Sequence, residues 1–349
     1  MKPVLIKAGL AFLSVLLVTV TLETAFRLAG VRYSSVPLSM EYVQWIASLG
    51  HTQNSHRRNF RLDYRVDPVY LWSPVPQPGI TNSLGFLGPE WTLEKKPGVS
   101  RLFCLGDSCT ISGEIPYPVL LQRDLDDAGP DRYEVFNAGV GSWSSYQGRL
   151  LFENLILRYR PDIVTVYFGW NDHWLAWSHP DKELSVYLAP RARWINLFNR
   201  SRLAQGMTWV LHRMVPAPDP RDRRPPLFRV PLEDYRANLE AIVDLAKKNG
   251  VRPVLITAPT TLHPRHNVVQ YLSFSSRLFH DPNQINRVHS EYNAVVEQVA
   301  RERGISLVPL ANRLLYLPDR EAMMSDGIHL SPEGSEWAAR SICDTILSP

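Results

Sequence analysis

The sequence predicts an α/β fold, a doubly wound parallel sheet of about five strands flanked by helices and preceded by one N-terminal transmembrane helix. Three observations predict it. From Arg101 onward, short apolar runs alternate with segments whose apolar residues recur at helical spacing. The runs end in glycine or polar turns, as buried parallel strands do. No segment repeats, so strand–helix–strand units account for the alternation. With 349 residues, 45% hydrophobic and 21% charged, the chain can bury such a sheet and is not a disordered one.

Composition also narrows the function. The 38 Lys+Arg against 34 Asp+Glu leave a net charge of +4, too small and dispersed for a nucleic-acid partner. Three cysteines make no disulfide framework, and no C-x-x-C pair suggests zinc. The 28 prolines predict long surface loops.

The chain opens on an uncharged stretch, Ala8 to Leu22, with Lys2 and Lys7 on its N-terminal side. If Lys7 snorkels, Pro3 to Leu22 spans a hydrocarbon core of about 30 Å. The leading lysines predict a cytoplasmic N-terminus and a translocated remainder. A cleaved signal peptide is the rival reading. Cleavage after Ala25 would place Glu23 three positions back, and cleavage after Ala29 would place Arg27 there, so neither site resembles A-x-A. An uncleaved anchor over residues 1–27 is preferred. Residues 28–99 read as a juxtamembrane extension, with the Pro- and aromatic-rich Tyr64–Gly79 extended and packed on the main domain rather than binding a ligand.

The main domain, residues 100–349, begins with RLFCLG as its first strand, followed by YPVLLQRDLDDAG as a helix stopping at Gly129. YEVFNAG is the second strand and SSYQGRLLFENLILRY a helix. DIVTVYFGWND is a third strand running into a polar turn. From about Trp174 to Pro231 the alternation lapses, and the proline–arginine segment VPAPDPRDRRPPLFRVP reads as an exposed insertion or lid. Its RDRR run reads as a solvated loop rather than a phosphate or lipid site. LEDYRANLEAIVDLAKKNG is a helix ending at Gly250, and RPVLITAP a fourth strand. A second irregular stretch covers Thr260–Arg287. EYNAVVEQVARERG is a helix and ISLVPL a fifth strand. SPEGSEWAARSICDTIL closes the chain as a helix with Ser331 as N-cap and Pro332 in its first turn.

In such sheets ligands bind beyond the C-terminal strand ends. Gly106-Asp107-Ser108 follows the first strand, where glycine permits a tight turn and serine opens a helix. Asn137 to Trp143 follows the second strand, and Gly169-Trp170-Asn171-Asp172 the third. An asparagine there can aim its amide at a developing oxyanion. Asp326-Gly327-Ile328-His329 precedes the last helix, with Asp and His three apart and able to share one hydrogen bond. In that arrangement Asp fixes the tautomer, His takes the serine proton, and Ser attacks. Each piece alone reads as ordinary turn chemistry; the four in this order do not.

Together these segments resemble the SGNH (GDSL-type) hydrolase superfamily, on a flavodoxin-like sheet. The resemblance runs from Arg101 to about Ile346 and implies Ser108 as nucleophile, His329 as base and Asp326 as its orienter. Asn82 to Glu90 also resembles the lead-in of membrane-anchored bacterial members. One block departs from the pattern. The family's oxyanion glycine stands five residues after the strand-end asparagine, and here that position is Ser142, after Gly141. The donor is a backbone N–H, so serine can supply it, at a cost if φ is positive. The implied oxyanion hole is therefore Ser108, Ser142 first and Gly141 second, and Asn171.

Among other candidates, Cys109 reads as a packing residue beside Ser108, and a Cys104–Cys343 bridge is unsupported by spacing. His263 and His266 lack further metal-ligand spacing. Asp107 and Asp172 read as turn holders. Trp143, Trp170, Trp174 and Trp177 read equally as a pocket wall or as core. The expected protein is a membrane-anchored, extracytoplasmic serine ester hydrolase acting on an ester or acylated glycan or lipid, with no metal or organic cofactor. The alternative is an O-acyltransferase passing the acyl group to a glycan hydroxyl, with a membrane acyltransferase as partner. From another class, a non-catalytic binding scaffold would not need all three groups.

Overall fold

The computed structural model describes residues 2–30, 64–176, 179–214, 227–262 and 283–348. Helix α1 (Lys2–Leu28) comes first. Within it Val4–Leu28, 25 residues of mean hydropathy 2.2, is long and apolar enough to cross a membrane. Strands β1 (Tyr64–Asp67) and β2 (Leu71–Pro74) form an antiparallel pair.

The main sheet follows: β3 (Ser100–Gly106), β4 (Tyr133–Gly139), β5 (Ile163–Tyr167), β6 (Arg252–Ile256) and β7 (Ser306–Val308). Its order is β4-β3-β5-β6-β7, with every pair parallel. The first strand of the sheet thus lies between the second and third, the flavodoxin-like order, and the chain crosses to the other side of β3 after β4. That reversal opens a crevice beyond the ends of β3 and β5, where Gly106 is in register with Gly139 and Tyr167.

Period-two alternation divides the core between two faces. Phe103, Leu105, Phe136, Val164 and Val166 pack with α4 (Ser145–Asn154), α8 (Leu232–Lys248) and α9 (Asn283–Arg303). Leu102, Cys104, Val135 and Ile163 face the opposite way, toward α3 (Tyr117–Ala128) and α11 (Pro332–Leu347). Two short helices, α2 (Ser108–Ile111) and α10 (Leu310–Leu315), follow β3 and β7.

The extension packs onto this body. Trp72 and Trp143 are fully buried, and the Trp143 indole donates to the Trp72 carbonyl at 3.1 Å. The Asn82–Glu90 segment is a self-bonded turn: the Asn82 side chain accepts from the N–H groups of Leu84 and Phe86, and Phe86 stacks on Trp91 at 4.4 Å. Buried Arg101 bonds to Thr92, Glu94, Glu134 and Tyr159, joining the extension to the sheet's opposite edge.

Two segments differ from the sequence expectation. The described part of the insertion is helical: α5 (Asp181–Leu188), α6 (Ala192–Phe198) and α7 (Arg202–Met214). These helices are inserted in the β5–β6 crossover ahead of α8, so strand–helix alternation gives no sign of them. Helix α9 begins at Asn283, inside the stretch expected to be irregular. Its first turns bury Ile285, His289 and Tyr292 at helical spacing, and a histidine on the core side hides that pattern. Trp177, His263, His266 and the RDRR run lie outside the described residues.

Candidate active site

Strand β3 ends at Gly106, where no larger residue fits. A Cβ there would lie 2.0 Å from Thr110 Oγ1 and 2.8 Å from the Tyr167 carbonyl oxygen. Glycine lets α2 turn back directly off the strand. Asp107 caps that helix: its Oδ1 accepts from the Cys109 N–H at 2.8 Å. Ser108 is thereby the first residue of α2, at the sheet edge.

The loop before α11 approaches from the other side. Gly327 at φ +86° turns the chain so that the N–H groups of Ile328 and His329 both reach Asp326 Oδ1, at 3.0 and 2.8 Å. Asp326 Oδ2 accepts from His329 Nδ1 at 2.8 Å, and His329 Nε2 lies 3.0 Å from Ser108 Oγ. With Nδ1 protonated, Nε2 is the acceptor for the serine proton. Burial opposes the charged form of His329, but the adjoining Asp326, with Asp107 behind it, outweighs this and raises its pKa above 6.5. Burial also opposes ionisation of Asp326, yet His329 and two backbone N–H groups hold its carboxyl well below the usual range.

Asn171 follows β5 and is buried; its Nδ2 donates to Asp107 Oδ2 at 3.1 Å, leaving one amide hydrogen for a ligand. Burial first, against the bonds from Cys109 and Asn171, moves the Asp107 pKa up to about 6. Asp172 accepts from the Ser145 N–H at 2.9 Å and starts α4. Asp107 thus holds its own turn, as the sequence suggested, whereas Asp172 joins the end of β5 to the start of α4 instead of closing a local turn.

The loop after β4 answers the question of the displaced glycine. Ser142 has φ +62°, and Trp143 N–H closes the turn on the Val140 carbonyl at 3.2 Å. A positive φ at the third turn position is the type II geometry that glycine normally serves. The Val140 N–H is taken by the Gly106 carbonyl. The Gly141 N–H interacts with the Tyr64 hydroxyl, to which a Cβ at Gly141 would come within 2.9 Å. Among the described residues the Ser142 N–H has no such bond, so it outranks Gly141 as a free donor. Ser142→Gly removes the left-handed strain, about 1 kcal/mol, at a similar entropic cost in the unfolded chain. Its Tm is therefore expected to stay within about 3 °C of the parent in a thermal melt; a larger fall would mean that the side chain itself holds the turn.

Arg229 was not singled out in the sequence. It is buried at the far end of the insertion and donates to the Ser142 carbonyl at 2.8 Å. It also binds buried Asp181 at 3.1 and 2.8 Å, and Gln147 at 3.2 Å. One guanidinium thus fixes both ends of the insertion and the Ser142 turn. Nothing in the segment PPLFRVP separates this arginine from the arginines that precede it in the sequence, because the pairing spans 48 residues. Arg229→Met leaves Asp181 buried without its cation and is expected to cost about 3–5 kcal/mol in urea unfolding, with part recovered in Arg229→Met/Asp181→Leu. An unchanged midpoint in the single variant would refute the clamp.

The remaining candidates are structural. Cys109 is buried, with its thiol pKa raised by burial, and Cys104 and Cys343 are free, so no bridge joins them. Trp170 stacks on His289 at 3.9 Å, and His289 bonds His173 at 2.9 Å, so both neighbours of the Asn171–Asp172 turn are fixed in the core.

The chain is 34% identical to the Isoamyl acetate-hydrolyzing esterase 1 homolog of Homo sapiens over 115 residues, 32% of this chain and 44% of that protein. The chain therefore matches less than half the length of this curated relative. Among solved structures, a lipase/acylhydrolase from Enterococcus faecalis superposes with TM-score 0.46 at 17% identity, covering 71% of this chain and 95% of that one. An acetyl xylan esterase variant from Geobacillus stearothermophilus gives TM-score 0.45 at 19% identity, covering 71% and 94%. The family profile matches residues 104–337, which include Ser108, Ser142, Asn171, Asp326 and His329. On that match the chain belongs to the GDSL-like Lipase/Acylhydrolase family, a family of serine ester hydrolases.

Proposed function

We propose that this chain is an O-acyl esterase that works through Ser108, His329 and Asp326 and is held by α1 at the outer face of a membrane. The observation that carries the chemistry is the unbroken contact series Asp326 Oδ2–His329 Nδ1 and His329 Nε2–Ser108 Oγ, at 2.8 and 3.0 Å. In the first half-reaction Ser108 Oγ attacks the ester carbonyl while His329 Nε2 takes its proton. The oxyanion draws on the N–H groups of Ser108 and Ser142 and the free amide hydrogen of Asn171. His329 then returns the proton to the departing alkoxide, leaving an acyl-Ser108 ester. Water, deprotonated by the same imidazole, releases the acid and restores the serine.

The relative's name, an esterase hydrolysing isoamyl acetate, supports a short acyl group. Retention of α1 is supported by its contacts with the insertion, which cleavage would remove: the Glu23 carboxylate accepts from Ser201 Oγ at 2.8 Å and from the Arg202 and Leu203 N–H groups at 3.1 and 2.8 Å. Lys2 and Lys7 ahead of the span favour an outer location for the domain.

A panel of esters of graded acyl length, assayed with and without sugar acceptors, tests the reading. Acetyl esters are expected to turn over fastest, with free acid as the product. Acyl-sugar formation at the expense of free acid would assign the chain to O-acyl transfer instead. Failure of every ester would overturn the esterase reading.

A further inference from the structure

Surface helices normally turn their apolar stripe inward. Helix α7 turns one outward. Met207, Val210, Leu211 and Met214, spaced i, i+3, i+4 and i+7, are 58, 47, 60 and 72% exposed. Trp194 and Phe198, one turn apart on α6, add two more exposed aromatic side chains. Arg191, Arg193 and Arg200 lie exposed around them, Arg191 over the Tyr187 ring at 4.0 Å. Apolar side chains bordered by aromatic residues and arginine match the chemistry of the headgroup–acyl boundary of a bilayer with anionic lipid.

The position of α7 identifies which apolar phase it meets. Its N-terminus is held by Glu23, and Arg27 donates to the Arg200 carbonyl at 3.2 Å. The Phe26 ring packs where Gly206 lacks a side chain: a Cβ there would lie 2.8 Å from it. Glu23 is also the first acidic residue after the uncharged stretch of α1. The exposed stripe is therefore on a helix fixed to α1 at the point where that helix becomes polar.

We propose that α6 and α7 lie on the bilayer surface, with the apolar stripe at the headgroup–acyl boundary and the surrounding arginines against anionic headgroups. This rests on the reading that α1 spans the membrane. The docked insertion would fix the orientation of the site as well as tether it. Asn196 of α6 bonds both backbone groups of Val66 in β1, at 2.9 and 2.7 Å, and Arg229 holds the Ser142 turn.

The test uses the full chain in vesicles of phosphatidylcholine with one-fifth phosphatidylglycerol. A single environment-sensitive fluorophore is placed at Leu211→Cys, Val15→Cys or Val119→Cys, the three native thiols being buried. Lipids spin-labelled near the headgroup or deep in the acyl chain serve as quenchers. Leu211→Cys is expected to be quenched at least twofold more by the shallow label than by the deep one. Val15→Cys should be quenched chiefly by the deep label, and Val119→Cys by neither. Quenching at position 15 without quenching at 211 would overturn the docking and leave the anchor standing. Quenching at 211 without quenching at 15 would support docking and remove the span. Blue-shifted emission at 211 without quenching would indicate a protein contact, such as a second copy, and overturn the proposal; so would quenching at 119 equal to that at 211.

Discussion

Ser108→Ala is expected to lower ester turnover by about 10⁵–10⁶-fold and to abolish labelling by a fluorophosphonate. The size of the loss follows from the site. Cys109, the nearest alternative nucleophile, is buried, and burial raises its thiol pKa. Its sulfur points at the Ile328 carbonyl, 3.6 Å away. The side chain of Ser108 makes its contact with His329, and the turn is held instead by Asp107 and by the Ser112 N–H on the Ser108 carbonyl. The variant should therefore melt like the parent, which separates loss of chemistry from loss of fold. Undiminished hydrolysis by the variant would remove Ser108 from the chemistry and leave a contaminating activity, with the chain itself as a binding scaffold, as the reading.

Asp326→Asn is the second large effect, about 10³–10⁴-fold in kcat. The loop survives, because an asparagine oxygen can still accept from the Ile328 and His329 N–H groups. The new amide hydrogen would face His329 Nδ1, move the imidazole proton to Nε2, and present a donor to Ser108 where an acceptor is needed. A pH profile gives an independent readout. In the parent, neutral His329 is the active form, and its pKa is raised by Asp326 against the opposing effect of burial. The acid limb of kcat/KM should therefore lie above 6.5, activity falling as pH drops through it. Without the carboxylate, burial dominates and the limb should move to lower pH. A large loss of rate with an unmoved limb would show that Asp326 acts elsewhere than on the histidine.

The α/β class, the apolar N-terminal helix and the four segments around the site are all legible in the order of the amino acids. These signals are local. An apolar run ending in a tight turn places a residue at a strand end wherever the rest of the chain goes. Parallel strands then bring such ends to one edge, which groups Ser108 with Asn171; the Asp326–His329 loop, which follows no strand directly, joins them through its own Asp–His spacing ahead of the last helix. Ser142 was legible as a departure, a serine in a place whose backbone calls for glycine, but its φ of +62° required the turn itself.

The rest depends on contacts between distant segments. Arg229 and Asp181 are 48 residues apart, and either alone is an ordinary charged residue in a polar stretch. Their pairing becomes informative because both are buried, where a charge needs a partner. Glu23 reads in sequence as the end of an apolar helix, and only contact with Ser201, Arg202 and Leu203 makes it a helix cap. His289 likewise breaks an apolar pattern until its bonds to His173 and the Ala258 carbonyl, at 2.9 and 2.8 Å, place it inside the core. Periodicity reports which face of an element is apolar, whereas the partner of a buried polar group is fixed only when distant segments pack.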